Sequence, residues 1–226
     1  MVFMWSRALP GDTIRGMKLS SPQLSPHPET ATLDEFLEGD LESVLLEDAD
    51  ATNCSVTALD LSDVRLEKML LTAAQCERIN ARDVVVKGGD MSAANFSNGA
   101  WNRAEFINCR MTGVDFSKTA LHDVLFRGCL LTMANFRFAD LRRVKFIDCS
   151  MSEADFLSAR LVDGVFETSN LESAIFEKAA CTKVDLRTSE LIDLVGWKSL
   201  KGVTIDAVQL MSVAPHLANE LGLRVE

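Results

Sequence analysis

The chain contains no tyrosine, only three histidines, and no uninterrupted apolar stretch near the ~18 residues that would mark a membrane span. Its first residues, Met1 to Arg7, lack the charged and apolar regions of a secretory leader, so the cytoplasm is the expected compartment and no membrane contact is expected. His27, His122 and His216 stand far apart, and an imidazole without convergent partners builds neither a metal site nor a triad. The six cysteines include no closely spaced pair of the zinc-finger kind. No phosphate-cradling glycine loop, no serine or cysteine matched to a histidine, and no acidic cluster at metal-site spacing is present. The expectation is therefore no enzyme activity, no metal and no cofactor. Positive charge is missing from one segment: residues 29–63 hold eleven Asp and Glu and no Lys or Arg, within a chain of net charge −10.

What is present in abundance is a period. Every fifth residue from Phe36 to Leu191 is apolar, thirty-two in succession. At 47% hydrophobic content such a run arises by chance about once in 10¹¹ registers, so the spacing is built in. Five matches neither the 3.6 of a helix nor the 2 of a flat strand; each quintet must be a short extended piece followed by a corner. The residue two places before each central one is mostly slim, as at Ala94, Ala104, Cys109, Val114, Thr119, Cys129, Ala134 and Cys149. Each quintet thus sends one large and one small side chain inward.

The quintets Ala94-Asn95-Phe96-Ser97-Asn98, Val114-Asp115-Phe116-Ser117-Lys118, Ala134-Asn135-Phe136-Arg137-Phe138 and Ala154-Asp155-Phe156-Leu157-Ser158 resemble those of the pentapeptide-repeat family. The resemblance implies an all-β fold, a right-handed quadrilateral β-helix with four quintets, hence 20 residues, per coil. Cys109, Cys129 and Cys149 recur at that interval and should stack, while phenylalanine at every tenth position from Phe96 to Phe176 should form stacks on two opposite walls. About eight coils are expected between residues 31 and 195, looser between 36 and 90 where Ala51, Val56, Cys76, Ala81 and Val86 are central. Residues 1–30, with four of the five prolines, read as an extended or partly disordered arm, in which Met1 to Met17 could add a strand or hairpin. Residues 196–226 read as a helical cap. Asp206 and Gln209 form a capping pair for a first short helix, and Ser212 and Pro215 start a second one ending near Gly222. Asp or Asn just before a central residue, as at Asn95, Asp115, Asn135, Asp140 and Asp155, should bond local backbone at the corners.

Function then falls to surfaces. Placing the sequence on a 20-residue coil puts Ile107, Leu125, Ile147 and Val165 on one outer wall, and Phe138, Leu157 and Ile175 on the opposite one, as candidate contacts for an unidentified protein. Leu210, Val213, Leu217 and Leu221 are candidates for a lid on the last coil, or for a homodimer contact of the kind the resemblance implies. The resemblance also brings DNA mimicry, since some members protect bacterial DNA gyrase from quinolones by presenting a duplex-shaped acidic rod. A DNA-like rod of ~38 Å would need on the order of 22 negative charges. Here the acids gather at one end, at Glu38, Asp40, Glu42, Glu47, Asp48 and Asp50, and the rest of the chain is nearly neutral. Direct nucleic-acid binding is not expected. A protein-binding scaffold is the first reading, and a modulator of a type II topoisomerase the alternative.

Overall fold

A left-handed backbone residue stands at every fifth position from Ser43 to Asp193 without a break, glycine at 88, 113 and 128 and non-glycine elsewhere. Such a conformation costs an L-residue about 1–2 kcal/mol. Burying one large side chain per quintet returns about 1.5–3 kcal/mol, enough to hold a corner that local preference opposes. The computed structural model describes residues 13–14, 16–220 and 222–224. Strands β1 (Thr13–Ile14) and β2 (Met17–Lys18) pair antiparallel. Strand β3 (Glu29–Thr30) and helix α1 (Leu33–Glu38) precede seven eight-residue strands: β4 (Asp40–Glu47), β5 (Asp60–Glu67), β6 (Asn80–Lys87), β7 (Ala100–Ile107), β8 (Ala120–Arg127), β9 (Asp140–Ile147) and β10 (Arg160–Glu167). Strand β11 (Ala180–Thr182), a 3₁₀ turn (Trp197–Ser199) and helix α2 (Ala207–Glu220) complete the chain.

Strands β3 to β11 form one parallel sheet in sequence order, and from β4 onward each residue pairs with the one 20 places on, as Leu121 does with Leu141 and Leu141 with Leu161. Each long strand bends at its left-handed residue to serve two walls, wall 1 (centres 41 to 181) and wall 2 (centres 46 to 186). Walls 3 and 4 (centres 51 to 191 and 56 to 176) are held by single bridges at the same interval, such as Asp90↔Arg110 and Asn95↔Asp115. On wall 4 Asn95, Asp115, Asn135 and Asp155 accept the backbone N–H two residues ahead at 2.7–3.0 Å, as expected. Asp140, on wall 1, instead binds the Arg142 guanidinium at 2.7 Å, because the continuous strand already uses its local backbone.

Rings stack along wall 2 (Phe106 on Phe126, 4.8 Å, 6°) and wall 4 (Phe136 on Phe156, 4.9 Å, 4°), and meet edge to face across the interior at about 6 Å, as Phe116 and Phe126 do at 5.9 Å and 74°. Cys109, Cys129 and Cys149 are buried one above another. Their thiols point to backbone oxygens 23 residues back, Val86, Phe106 and Phe126, at 3.4–3.6 Å, and the Ser169 hydroxyl does the same to Phe146 at 3.3 Å. Burial pushes the Cys76 thiol up to about 12 and the half-buried Cys181 to about 11.

Four expectations change. Seven coils, not eight, carry a full strand; the eighth has only the three residues of β11. Phe36 sits on α1 rather than on a coil, yet is 1% exposed, so the helix closes the first layer with its own ring. The early coils are looser only at the start: every centre is buried, and Leu59, Met69 and Ile79 fill the usually slim column where Ala81 and Cys76 leave the centre small, but Val44, Ala49 and Cys54 of the first coil are half-buried. The cap is one continuous helix with Pro215 inside it, not two. Asp206 and Gln209 do form the capping pair, at 2.8 and 2.9 Å, and the Gln209 amide donates to the Leu186 and Ser189 carbonyls at 2.7 Å each. Gln209 lies 20 residues past Ser189, so the lid extends the column of cysteines and serines.

Candidate interaction surfaces

Wall 2 carries Ile107, Leu125, Ile147 and Val165 as the coil map required, yet this wall is not free. Leu125, Ile147 and Val165 are only 7%, 5% and 4% exposed, and Ile107 is half-buried. The cover is the chain's own arm. Residues 16–28 run along the wall, with Leu19 and Ser21 over Leu125 and Ile147. The backbone N–H groups of Ser25, Gln23 and Ser20 donate to Asp63 (2.8 Å), Asp83 (2.9 Å) and Asp123 (3.2 Å). Arg103 grips Asp83 with both arms of its guanidinium, at 2.6 and 2.5 Å, and Arg143 grips Asp123 at 2.8 and 2.6 Å. Burial alone raises these carboxyls. Bonds to Asp63 from Ser25 and Ser43, to Asp83 from Arg103 and Gln23, and to Asp123 from Arg143 and Ser20 outweigh it and hold all three below the usual carboxylate range.

Asp63, Asp83 and Asp123 with their arginines were not among the sequence candidates. The signal was present in one corner column, where Asp83, Arg103, Asp123, Arg143, Asp163 and Lys183 alternate in sign at intervals of 20. Where Gly16, Met17 and Lys18 meet Arg143, Asp163 and Lys183, a cleft of about 610 Å³ opens.

On wall 4 the candidates do come together. Phe138 occupies a left-handed corner (φ 60°) and is 56% exposed; its N–H bonds the Leu157 carbonyl at 3.0 Å. Leu157 and Ile175 are half-buried, and Ile175 bridges to Val195, which is exposed. The acidic candidates Glu38, Asp40, Glu42, Glu47, Asp48 and Asp50 are all exposed around the first coil and the end of α1. Lys68 of the next coil pairs with Glu47 at 3.1 Å and Asp48 at 3.4 Å. On α2, Val213 is buried and Leu217 half-buried against the last coil, while Leu210 faces solvent with Val208 and Met211, 78% and 80% exposed. Leu221 lies outside the described residues. Among the described residues no three His, Cys, Asp or Glu side chains converge as metal ligands, and no helix is long and apolar enough to cross a membrane.

Stacked 20-residue coils, four walls and a slim inward column define a quadrilateral parallel β-helix. The profile described as pentapeptide repeat region matches residues 59–136, 79–156 and 119–194, and the chain belongs to that family. Among solved structures, two trypsin-treated variants of QnrB1, a plasmid-mediated fluoroquinolone resistance protein, are each 25% identical to it. They have TM-scores of 0.50 and 0.48, with 84% of this chain and 92% and 91% of theirs covered. HetL, a pentapeptide repeat protein involved in heterocyst differentiation regulation from the cyanobacterium Nostoc sp. strain PCC 7120, is 18% identical, with 74% of this chain and 89% of that one covered and a TM-score of 0.30. No curated protein matches the chain.

Proposed function

We propose that the protein is a non-enzymatic, cytoplasmic scaffold that presents its outer walls to a protein partner, and that wall 4 around Phe138 is the face the partner meets. The observation that carries this reading is Phe138 itself. A benzyl side chain more than half exposed stands at a corner where neighbouring coils place Asn98, Lys118, Ser158 and Lys178. With Leu157, Ile175 and Val195 beside it, it makes a contiguous apolar patch of the kind that marks contacts. Replacing Phe138 and Val195, both exposed, by Asp should change the unfolding free energy by no more than about 0.5 kcal/mol per site. It should also remove a specific partner from affinity capture by the full chain; identical captured proteins for parent and variant refute the wall.

The likeness to QnrB1, at 25% identity over most of both chains, supports a second reading in which the target is a type II topoisomerase. The acidic first coil is then the contact, since a cluster of exposed carboxylates suits a basic surface. Purified gyrase should change its supercoiling activity, or its fluoroquinolone sensitivity, when the protein is added. The effect should fade with salt and with Glu47→Lys plus Asp48→Lys; no change at high molar excess removes this reading. The solvent-facing side of α2, with Val208, Leu210 and Met211, supports pairing with a second copy.

A further inference from the structure

The arm on wall 2 behaves as a strand without a sheet. Met17, Leu19, Pro22 and Leu24 are half-buried, whereas Lys18, Ser20, Ser21 and Gln23 are exposed, close to the alternation of an extended chain with one side on a surface. It runs along the axis, so its residue numbers fall as the coil numbers rise: Ser25 meets Asp63, Gln23 meets Asp83 and Ser20 meets Asp123. Three layers at ~4.8 Å are about 14 Å, the reach of four to five extended residues, so arm and corner column are in step.

An arm crossing the strands at right angles cannot join their ladder. The bonds it makes go to side chains: the three aspartates, and the Arg65 guanidinium, whose Nη2 donates to the Ser25 carbonyl at 2.5 Å. Arg65 is 6% exposed and its Nη1 has no partner, so the arm satisfies the wall incompletely. Beneath it Val85, Leu125, Ile147 and Val165 alternate with Arg65, Glu105, Arg127 and Lys145, a mixed surface whose apolar positions the four half-buried arm side chains cover. The coils, by contrast, are tied to both neighbours by main-chain bonds along every wall. Release of the arm would uncover wall 2 without breaking the main-chain ladder of the coils.

We propose that wall 2 is a groove for extended polypeptide, that residues 16–25 are its resident occupant, and that a partner strand with apolar side chains at alternate positions reaches the wall by displacing them. Such a strand would give its backbone N–H groups to Asp63, Asp83 and Asp123 and seat its apolar side chains over Leu125, Ile147 and Val165. This surface is separate from the Phe138 patch, and either can fail without the other.

A fluorescent peptide with the sequence of residues 16–28, added to the full chain, tests it. The tethered arm competes at high local concentration, so the parent should bind the peptide weakly. A full-length variant with Leu19→Asp and Leu24→Asp lifts its own arm and should bind at least ~10-fold more tightly, since apparent affinity scales with the open fraction. Adding Leu125→Asp and Ile147→Asp to that variant should abolish binding. Equal binding by parent and arm variant, or binding that survives the changes on the wall, overturns the proposal. Hydrogen exchange on the unmodified chain gives an independent reading. The amides of Ser20, Gln23 and Ser25 should exchange through a local opening well below the barrier of the strand amides, and exchange only with global unfolding rejects displacement.

Discussion

At the scale of residues, the fold rests on positions that accept a left-handed backbone, and the glycines separate two demands that the sequence alone runs together. Gly88 fills a corner position (φ 67°) where an added Cβ meets only the Lys68 Cγ at 3.8 Å; Asn, Asp and Lys hold the same conformation at other corners. Gly89, next to it, belongs to the slim inward column, and at φ 86° an added Cβ would stand 2.2 Å from the Met69 carbonyl oxygen, which is backbone and cannot swing aside. Gly88→Asn should therefore cost under about 1 kcal/mol, because Asn tolerates this region. Gly89→Ala should cost about 2–4 kcal/mol, through backbone strain plus a displaced layer. Urea unfolding midpoints of the two variants check the contrast, and equal midpoints would show that the coils yield where the structure says they cannot. The column from Cys109 through Cys129, Cys149, Ser169 and Ser189 to Gln209 is a second residue-scale rule. A slim side chain with a donor both fills the gap and answers a carbonyl of the coil beneath, which explains thiols and hydroxyls where aliphatic residues would pack as well.

Elements divide into those the period builds and those that finish it. Helix α1 closes the first layer with Phe36, held by a Thr32–Glu35 capping box and ended by Gly39 in the left-handed region. Helix α2 closes the last. The arm differs from both, since part of its attachment is to carboxylates and therefore depends on pH. Asp63, Asp83 and Asp123 have folded values held below their ordinary 3.8, so their contribution is complete above that value and is lost as the pH falls through the lowered folded values. Below about pH 4 the arm should loosen before the coils do, because the ladder of main-chain bonds and the ring stacks do not titrate. Protection factors of the Ser20, Gln23 and Ser25 amides, corrected for the intrinsic pH dependence of exchange, should drop as the pH falls below about 4, ahead of those in β7 and β8. A simultaneous drop would mean that arm and coils form one cooperative unit.

The whole molecule is a tube whose walls have different fates. Wall 2 is occupied by the arm, wall 4 presents Phe138 and its neighbours, the first coil concentrates acid, and the far end displays an uncharged helix face. That last feature argues for self-association, because Val208 and Met211 are exposed side by side with Leu210 and carry no charge to keep copies apart. Sedimentation of the parent should show a concentration-dependent shift toward twice the monomer mass, and Val208→Glu with Met211→Glu should hold the chain at monomer size throughout. A parent that stays monomeric at every concentration leaves α2 as a lid alone.

The tube follows from the order of residues alone. A five-residue period assigns every side chain to inside or outside and to one of four walls, so the ring stacks, the thiol column and the wall of each of Ile107, Leu125, Phe138 and Ile175 could be read before any coordinates. That mapping is local: it needs only the residue number modulo 20. What lies on top of a wall is not local, and it emerges only in the folded chain. Residues 16–28 and the aspartates they meet are 38 to 103 positions apart, and neither the proline-rich arm nor the alternating column of Asp and Arg names the other as its partner. The same limit governs α2, where Pro215 marks a break in any isolated helix, but packing of Gln209, Val213 and Leu217 on the final coil carries the helix through.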